Sequence, residues 1–205
     1  MRLIRTALPR RVLLAAPALL TLPALAQVPR TPAQMEGPYY PRAIPADADA
    51  DLLQVAGQPR PARGQPLLLE GVVRGPDGAA LPGARIEIWQ ADHAGIYLHP
   101  GDSRLAQRDT GFQGFGRAVA DGAGHYAFRT IRPGLYAGRT RHIHLRAASA
   151  DGRLNLTSQI YFPNEPGNES DPLYRRMNAE ARALLTARIS PWDGGERAGF
   201  DIFLA

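Results

Sequence analysis

Between Leu67 and Ala91 the chain runs strand, turn, strand, and this unit narrows its fold more than any other stretch. Leu67 to Val73 is a mostly apolar run, Gly75-Pro76-Asp77-Gly78 carries the residue types that tight turns need, and Ala84 to Ala91 resumes a strand pattern. The punctuation continues: 21 Gly and 19 Pro are spread along 205 residues without a period, which suits many short strands and argues against a helical bundle. Further strands are expected at Tyr126 to Thr130, Arg141 to Ala147, Ser158 to Phe162 and Phe200 to Leu204. Only Asp171 to Arg188 has helical spacing, with Leu173, Met177, Ala181, Leu184 and Leu185 recurring after Asp171 as a candidate cap. The expected class is all-β: one β-sandwich core over residues 67–205, an N-terminal arm over 27–66, and one peripheral C-terminal helix.

Residues 1–26 read as an export signal. Arg2, Arg5, Arg10 and Arg11 precede the apolar run Val12 to Leu22, and Ala24-Leu25-Ala26 has the form of a cleavage site before Gln27. Arg10-Arg11 ahead of Val12 resembles a twin-arginine signal, so the mature protein is expected to be periplasmic or secreted. Pro17 and Pro23 interrupt a run that falls short of the roughly 20 apolar residues a bilayer span needs, so no stable membrane span is expected. The 24 basic residues are all Arg; four lie in the signal, leaving 20 against 19 acidic residues. A nearly neutral mature chain offers no basic face for phosphates, and nucleic acid is not an expected partner. With no Cys, thiolate catalysis, disulfides and Cys-bound zinc are excluded; with no Lys, so is Schiff-base chemistry. A metal would have to use His, Tyr, Asp or Glu.

His142-Ile143-His144 supplies such donors. In a strand, positions i and i+2 leave the same face, so the two imidazoles point together while Ile143, Leu145 and Ala147 point to the core. The pair either grips one metal ion or forms a polar patch on a wet face. Tyr136 in Pro133-Gly134-Leu135-Tyr136 and Tyr97 in Gly95-Ile96-Tyr97 could join it, since a strongly charged cation turns a phenol into a good ligand; each could equally be an ordinary packed aromatic. Two His and two Tyr together point to ferric iron, because hard anionic oxygen suits it better than zinc or copper.

These residues resemble the intradiol ring-cleavage dioxygenases, typified by protocatechuate and catechol dioxygenases. Leu69 to Tyr97, LEGVVRGPDGAALPGARIEIWQADHAGIY, matches that family's signature and ends on its first tyrosine ligand. Gly134-Leu135-Tyr136 resembles the second tyrosine, His142 and His144 the histidine pair, Arg139 the active-site arginine, Gln159 in Thr157 to Pro163 a supporting glutamine, and Glu36 to Tyr40 the motif opening the catalytic region. The resemblance implies an intradiol-type β-sandwich holding Fe(3+) on Tyr97, Tyr136, His142 and His144. It also implies insertion of both atoms of O2 into a catechol-type aromatic to give a cis,cis-muconate. Tyr97 would leave the metal to act as a base, Arg139 would stabilise charge on the ring, and Gln159 would complete the catalytic group.

Arg139-Thr140-Arg141 replaces the Trp-Arg-Pro-Ala run of intracellular members, and Arg141 is expected to point away from the histidines. The loop Pro100 to Gly116 is a candidate pocket wall, where Arg104 and Arg108 either read a substrate carboxylate or stay in solvent. His93, His99 and His125 read as surface or turn residues, with His99 two positions beyond Tyr97. The turn at Gly75 to Gly78 also resembles transthyretin-like and carboxypeptidase-regulatory modules, but a non-catalytic binding module has no use for the two tyrosines and two histidines. Oligomeric state, the particular catechol and the pathway stay open.

Overall fold

The computed structural model describes residues 28–136 and 138–205; the signal expected over 1–26 lies outside them. Two sheets face each other. The first has the order β4-β1-β8-β7, built from β1 Pro66–Arg74, β4 His125–Ile131, β7 Arg188–Trp192 and β8 Gly195–Gly199, with the short β9 Ile202–Phe203 on the far end of β1. The second is antiparallel, order β3-β2-β5-β6, from β2 Arg85–Trp89, β3 Phe115–Val119, β5 His142–Ala148 and β6 Asn155–Tyr161. Alternation drives the packing. Leu67, Leu69 and Val73 on β1 and Phe128 on β4 meet Ile86, Ile88, Ile143 and Leu145 from the second sheet in one core. Fully burying each such side chain is worth about 1.5–3 kcal/mol.

The strands read from the sequence are present, with β6 starting earlier and β9 ending shorter. Three others escaped that reading. β3 follows the Gly-rich loop, and its Gly116 breaks the apolar pattern. The hairpin β7–β8 turns through Asp193-Gly194, with Gly194 at φ 92°, an Asp-Gly signal that was available. Pro191 obscured it, and it is tolerated because β7 is the edge strand.

The single long helix expected over Asp171 to Arg188 is corrected. A 3-10 turn at Tyr174–Arg176 precedes a short helix, α1, at Ala179–Leu185. Asn178, not Asp171, caps α1, accepting from Ala181 N at 2.8 Å, which starts the helix about two turns later than the apolar spacing suggests.

The arm, residues 28–66, lies against both sheets. Gln34 N donates to Thr157 O, Ser158 Oγ to Pro32 O, and Tyr40 Oη to Glu87 Oε2, while Glu36 pairs with Arg146. Leu52, deep in the arm, is wholly buried in the core. The arm thereby covers the outer face of β5 and β6, the face on which both histidines stand.

Candidate active site

β5 places Trp89, His144 and Gln159 in one row across the sheet, since His144 pairs with Trp89 on β2 and Gln159 on β6. Neither histidine is on a wet face. Both are buried under the arm, and Trp89 stacks on His144 with ring centroids 5.0 Å apart and planes 9° apart. His142 Nδ1 donates to Thr140 O at 2.6 Å, which fixes the tautomer and leaves the Nε2 lone pair facing Tyr136 Oη at 3.1 Å. Burial, reinforced by Arg139, lowers the pKa of His142 to about 3; burial and His142 push His144 well down. Both imidazoles are therefore neutral and have lone pairs to give.

The tyrosines come from two loops pressed together by glycines. A side chain at Gly95 (φ 76°) would bring Cβ to 1.9 Å from Leu135 O, and one at Gly134 would reach 2.3 Å from Gly95 N. The crossing of the loop after β2 with the loop after β4 brings the Tyr97 and Tyr136 rings to 5.3 Å. Asp92 Oδ1 accepts from Ala94 N and Ile96 N, and Asp102 Oδ2 accepts from Tyr97 N, so two buried carboxylates shape the first loop. The sequence reading missed both; their Asx-turn positions, two residues before Ala94 and Arg104, are the signal.

Tyr97, Tyr136, His142 and His144 thus converge, with Tyr97 and His144 centroids 6.0 Å apart and the two imidazoles 4.9 Å apart. Tyr97 Oη and both ring nitrogens of His144 are buried with no hydrogen-bond partner among the described residues. Buried polar atoms without partners are rare. Burial, then the neighbouring Tyr136, drives the Tyr97 pKa well above its usual value, so in the protein alone the phenol keeps its proton. A multivalent cation would meet both needs at once, pairing Tyr97 Oη and one His144 nitrogen and stabilising phenolate. Among the described residues no three His, Asp or Glu side chains gather into such a site, so the tyrosines are indispensable to it.

Arg139 borders the cluster. Its Nε donates to Asp171 Oδ2 at 2.8 Å, Nη2 to Gln159 Oε1 at 2.7 Å, and Nη1 lies 3.4 Å from Tyr136 Oη. Gln159 in turn donates from Nε2 to Met35 O, tying the arginine to the arm. The two tyrosines differ in access. Tyr97 is 2% exposed and stacked under Tyr39, centroids 4.4 Å apart, whereas Tyr136 is half-buried and lines a cleft of about 780 Å3 with Met35, Tyr39, Leu135, Arg139 and Leu173. Tyr39, Trp89 and Asp171 were not among the expected site residues.

Of the two loop arginines, Arg104 stands at the cleft, donating to Gly95 O, while Arg108 lines a separate surface depression. Arg141 points away as expected, toward Glu165 and Pro133 O. His99 is a correction: it is buried beside Tyr39, accepting from Gly101 N, and is not part of the four-residue cluster.

The family model described as Dioxygenase matches residues 35–204. The chain is 34% identical over 149 residues to the protocatechuate 3,4-dioxygenase beta chain of Burkholderia cepacia, covering 69% of this chain and 63% of that one. It is 30% identical over 162 residues to catechol 1,2-dioxygenase of Acinetobacter baylyi, covering 70% and 50%. It therefore spans between half and just under two thirds of these curated relatives. Among solved structures, the dioxygenase domain of a dioxygenase carbohydrate-binding protein fusion from the cellulolytic bacterium Streptomyces sp. SirexAA-E superposes with a TM-score of 0.67 at 36% identity, covering 86% of this chain and 98% of that one. Catechol 1,2-dioxygenase from Acinetobacter sp. ADP1 superposes with a TM-score of 0.64 at 26% identity, covering 85% and 62%. With the tyrosine and histidine residues of that family's pattern converging in the same fold, the chain belongs to the intradiol ring-cleavage dioxygenases.

Proposed function

We propose that this protein is an exported non-haem ferric dioxygenase that opens a catechol-type ring between its two hydroxyl-bearing carbons, inserting both atoms of O2 to give a cis,cis-muconate-type product. The observation that carries the reading is the convergence of Tyr97, Tyr136, His142 and His144 with buried atoms left unpartnered. A non-catalytic binding module has no reason to bury an unpaired phenol beside an unpaired imidazole, which costs about 1–3 kcal/mol per group.

Those four side chains would hold Fe(3+). Bound there, ferric iron supplies Lewis acidity toward a catecholate and a redox partner for the ring and O2. The chain's own residues do the rest. A catechol entering the cleft must lose protons, and Tyr136 Oη, which opens to the cleft and would be a phenolate when these side chains hold the metal, is the atom placed to take one and become a phenol. The resemblance gives this role to Tyr97, but that ring is sealed beneath Tyr39, so the role is assigned here to Tyr136. Arg139, held on one side by Asp171 and on another by Gln159, keeps a fixed positive charge beside the ring, where it stabilises developing anion without having to reorganise. Tyr39 and the arm close one wall and exclude water from the histidines.

The test is iron content and a visible spectrum of the purified mature protein, before and after anaerobic addition of catechol, followed by oxygen uptake. About one iron per chain and a tyrosinate charge-transfer band that shifts with catechol are expected. A colourless protein that takes up no ferric iron on reconstitution would refute the reading. Export through residues 1–26 is checked separately by fractionation and by the N-terminal sequence of the mature protein, expected at Gln27.

A further inference from the structure

Three large hydrophobic side chains are exposed among the described residues, Met35 (58%), Leu135 (53%) and Val119 (67%), and two of them, Met35 and Leu135, line the catalytic cleft. Pro172 and Leu173 add apolar surface to the same lining, and Asp102, Ser103 and Arg104 supply its polar part. At about 780 Å3 the cleft lies in the range that encloses drug-sized ligands, well beyond one six-membered ring.

These apolar side chains stand on fixed backbone. Leu135 O lies against the Gly95 turn. Met35 O accepts from Gln159 Nε2 at 3.1 Å, and Leu173 N donates to Asp171 Oδ1 at 2.8 Å. Each is therefore one bond or one hydrogen bond away from a group of the catalytic cluster: Leu135 from Tyr136, Met35 from Gln159, and Leu173 from Asp171. An exposed apolar lip held this firmly, and continuous with a catalytic cleft, marks a surface that a ligand covers.

Resting on the function proposed above, we infer that Met35, Leu135 and Leu173 form a preformed subsite for an apolar extension on the catechol ring. The preferred substrates are catechols bearing a further aryl group, with the diol at the tyrosine and histidine cluster and the extension lying along this lip.

The iron-loaded chain tests it with catechol and 4-phenylcatechol. Kd is measured by anaerobic calorimetry and kcat/KM by oxygen uptake. Burying one further ring is expected to favour 4-phenylcatechol by about tenfold or more in both. Leu135→Ser and Met35→Ser are expected to lower that ratio several-fold each, mainly through KM. A ratio near one in the parent, or a ratio unmoved by both variants, overturns the subsite while leaving the dioxygenase reading intact. A parent that is dimeric in light scattering, and that either variant makes monomeric, overturns it too, since a second copy would then be what covers the lip. Failure of the iron-loaded chain to bind or oxidise either diol refutes the reading of the site and this inference with it.

Discussion

Arg139 and Asp171, 32 positions apart in the chain, meet through Nε and Oδ2 at 2.8 Å, with the carboxylate side chain wholly buried. The same carboxylate accepts from Thr140 N, Leu173 N and Tyr174 N. One acidic side chain thus sets the arginine, the segment leading into β5 and the Leu173 wall of the cleft. Burial opposes its ionisation, but the hydrogen bonds from Tyr174, Thr140 and Arg139 outweigh burial and hold the carboxyl below its usual value.

Asp171→Asn therefore leaves Arg139 buried without its counter-charge. The expected loss is about 3–5 kcal/mol in urea unfolding at pH 7. Because the folded pKa lies below the unfolded value of about 3.9, the carboxylate's contribution is complete above that value and is lost as pH falls through the folded pKa. The gap between parent and variant should shrink as pH drops below about 4. A gap that stays constant from pH 7 to pH 3 would show that the ion pair is not its source.

Arg139→Lys keeps the charge and loses the planar fork that spans Asp171, Gln159 and Tyr136. Turnover of a catechol should fall about 100-fold to 1,000-fold, as when a preorganised donor is removed from an active site. Bound iron should be retained, since the arginine is not a ligand. Oxygen uptake and metal analysis on the same sample check both, and a kcat within a few-fold of the parent would remove Arg139 from the mechanism.

The loop crossing at Gly95 gives a contrast that backbone conformation alone does not predict. Gly95 and Gly57 have nearly the same φ, 76° and 77°, but a Cβ at Gly57 meets none of the described residues within 4 Å, whereas one at Gly95 meets the Leu135 backbone. Gly57→Ala should cost about 1 kcal/mol. Gly95→Ala should cost roughly 2–4 kcal/mol and spread Tyr97 from Tyr136, weakening iron uptake. Equal losses of stability and of iron in the two variants would show that the crossing does not hold the tyrosines together.

Much of this site was legible because its donors sit in local patterns. The same-face rule for a strand pairs His142 with His144 without knowledge of the fold, and the turn at Gly75 to Gly78 announces β1 and β2. What was not legible depends on contacts between distant segments. Asp171 sits at the head of an apolar spacing and reads as a helix cap, yet its partners are Arg139 and Thr140, which only the packing of the segment after β6 against the start of β5 brings near. Tyr39 belongs to an arm without periodicity, and no local rule says that its ring will stack on Tyr97. Trp89 reads as the last residue of a strand, and its stacking on His144 follows only from the β2–β5 register.

The orphaned phenol makes opposite predictions for the two tyrosines in the metal-free chain. Tyr97 Oη has no partner among the described residues, so Tyr97→Phe removes a buried unsatisfied hydroxyl and should stabilise the metal-free protein by about 1–3 kcal/mol. Tyr136 donates to His142 and accepts from Arg139, so Tyr136→Phe should destabilise it by about 1 kcal/mol. With ferric iron present both variants should fall behind the parent, because binding to the folded state alone raises Tm and each variant has lost an anionic donor. Thermal melts of metal-free and reconstituted protein measure all six states. If Tyr97→Phe melts lower than the parent without metal, the Tyr97 hydroxyl is already satisfied within the protein, and the argument that this cluster is built around a cation loses its main support.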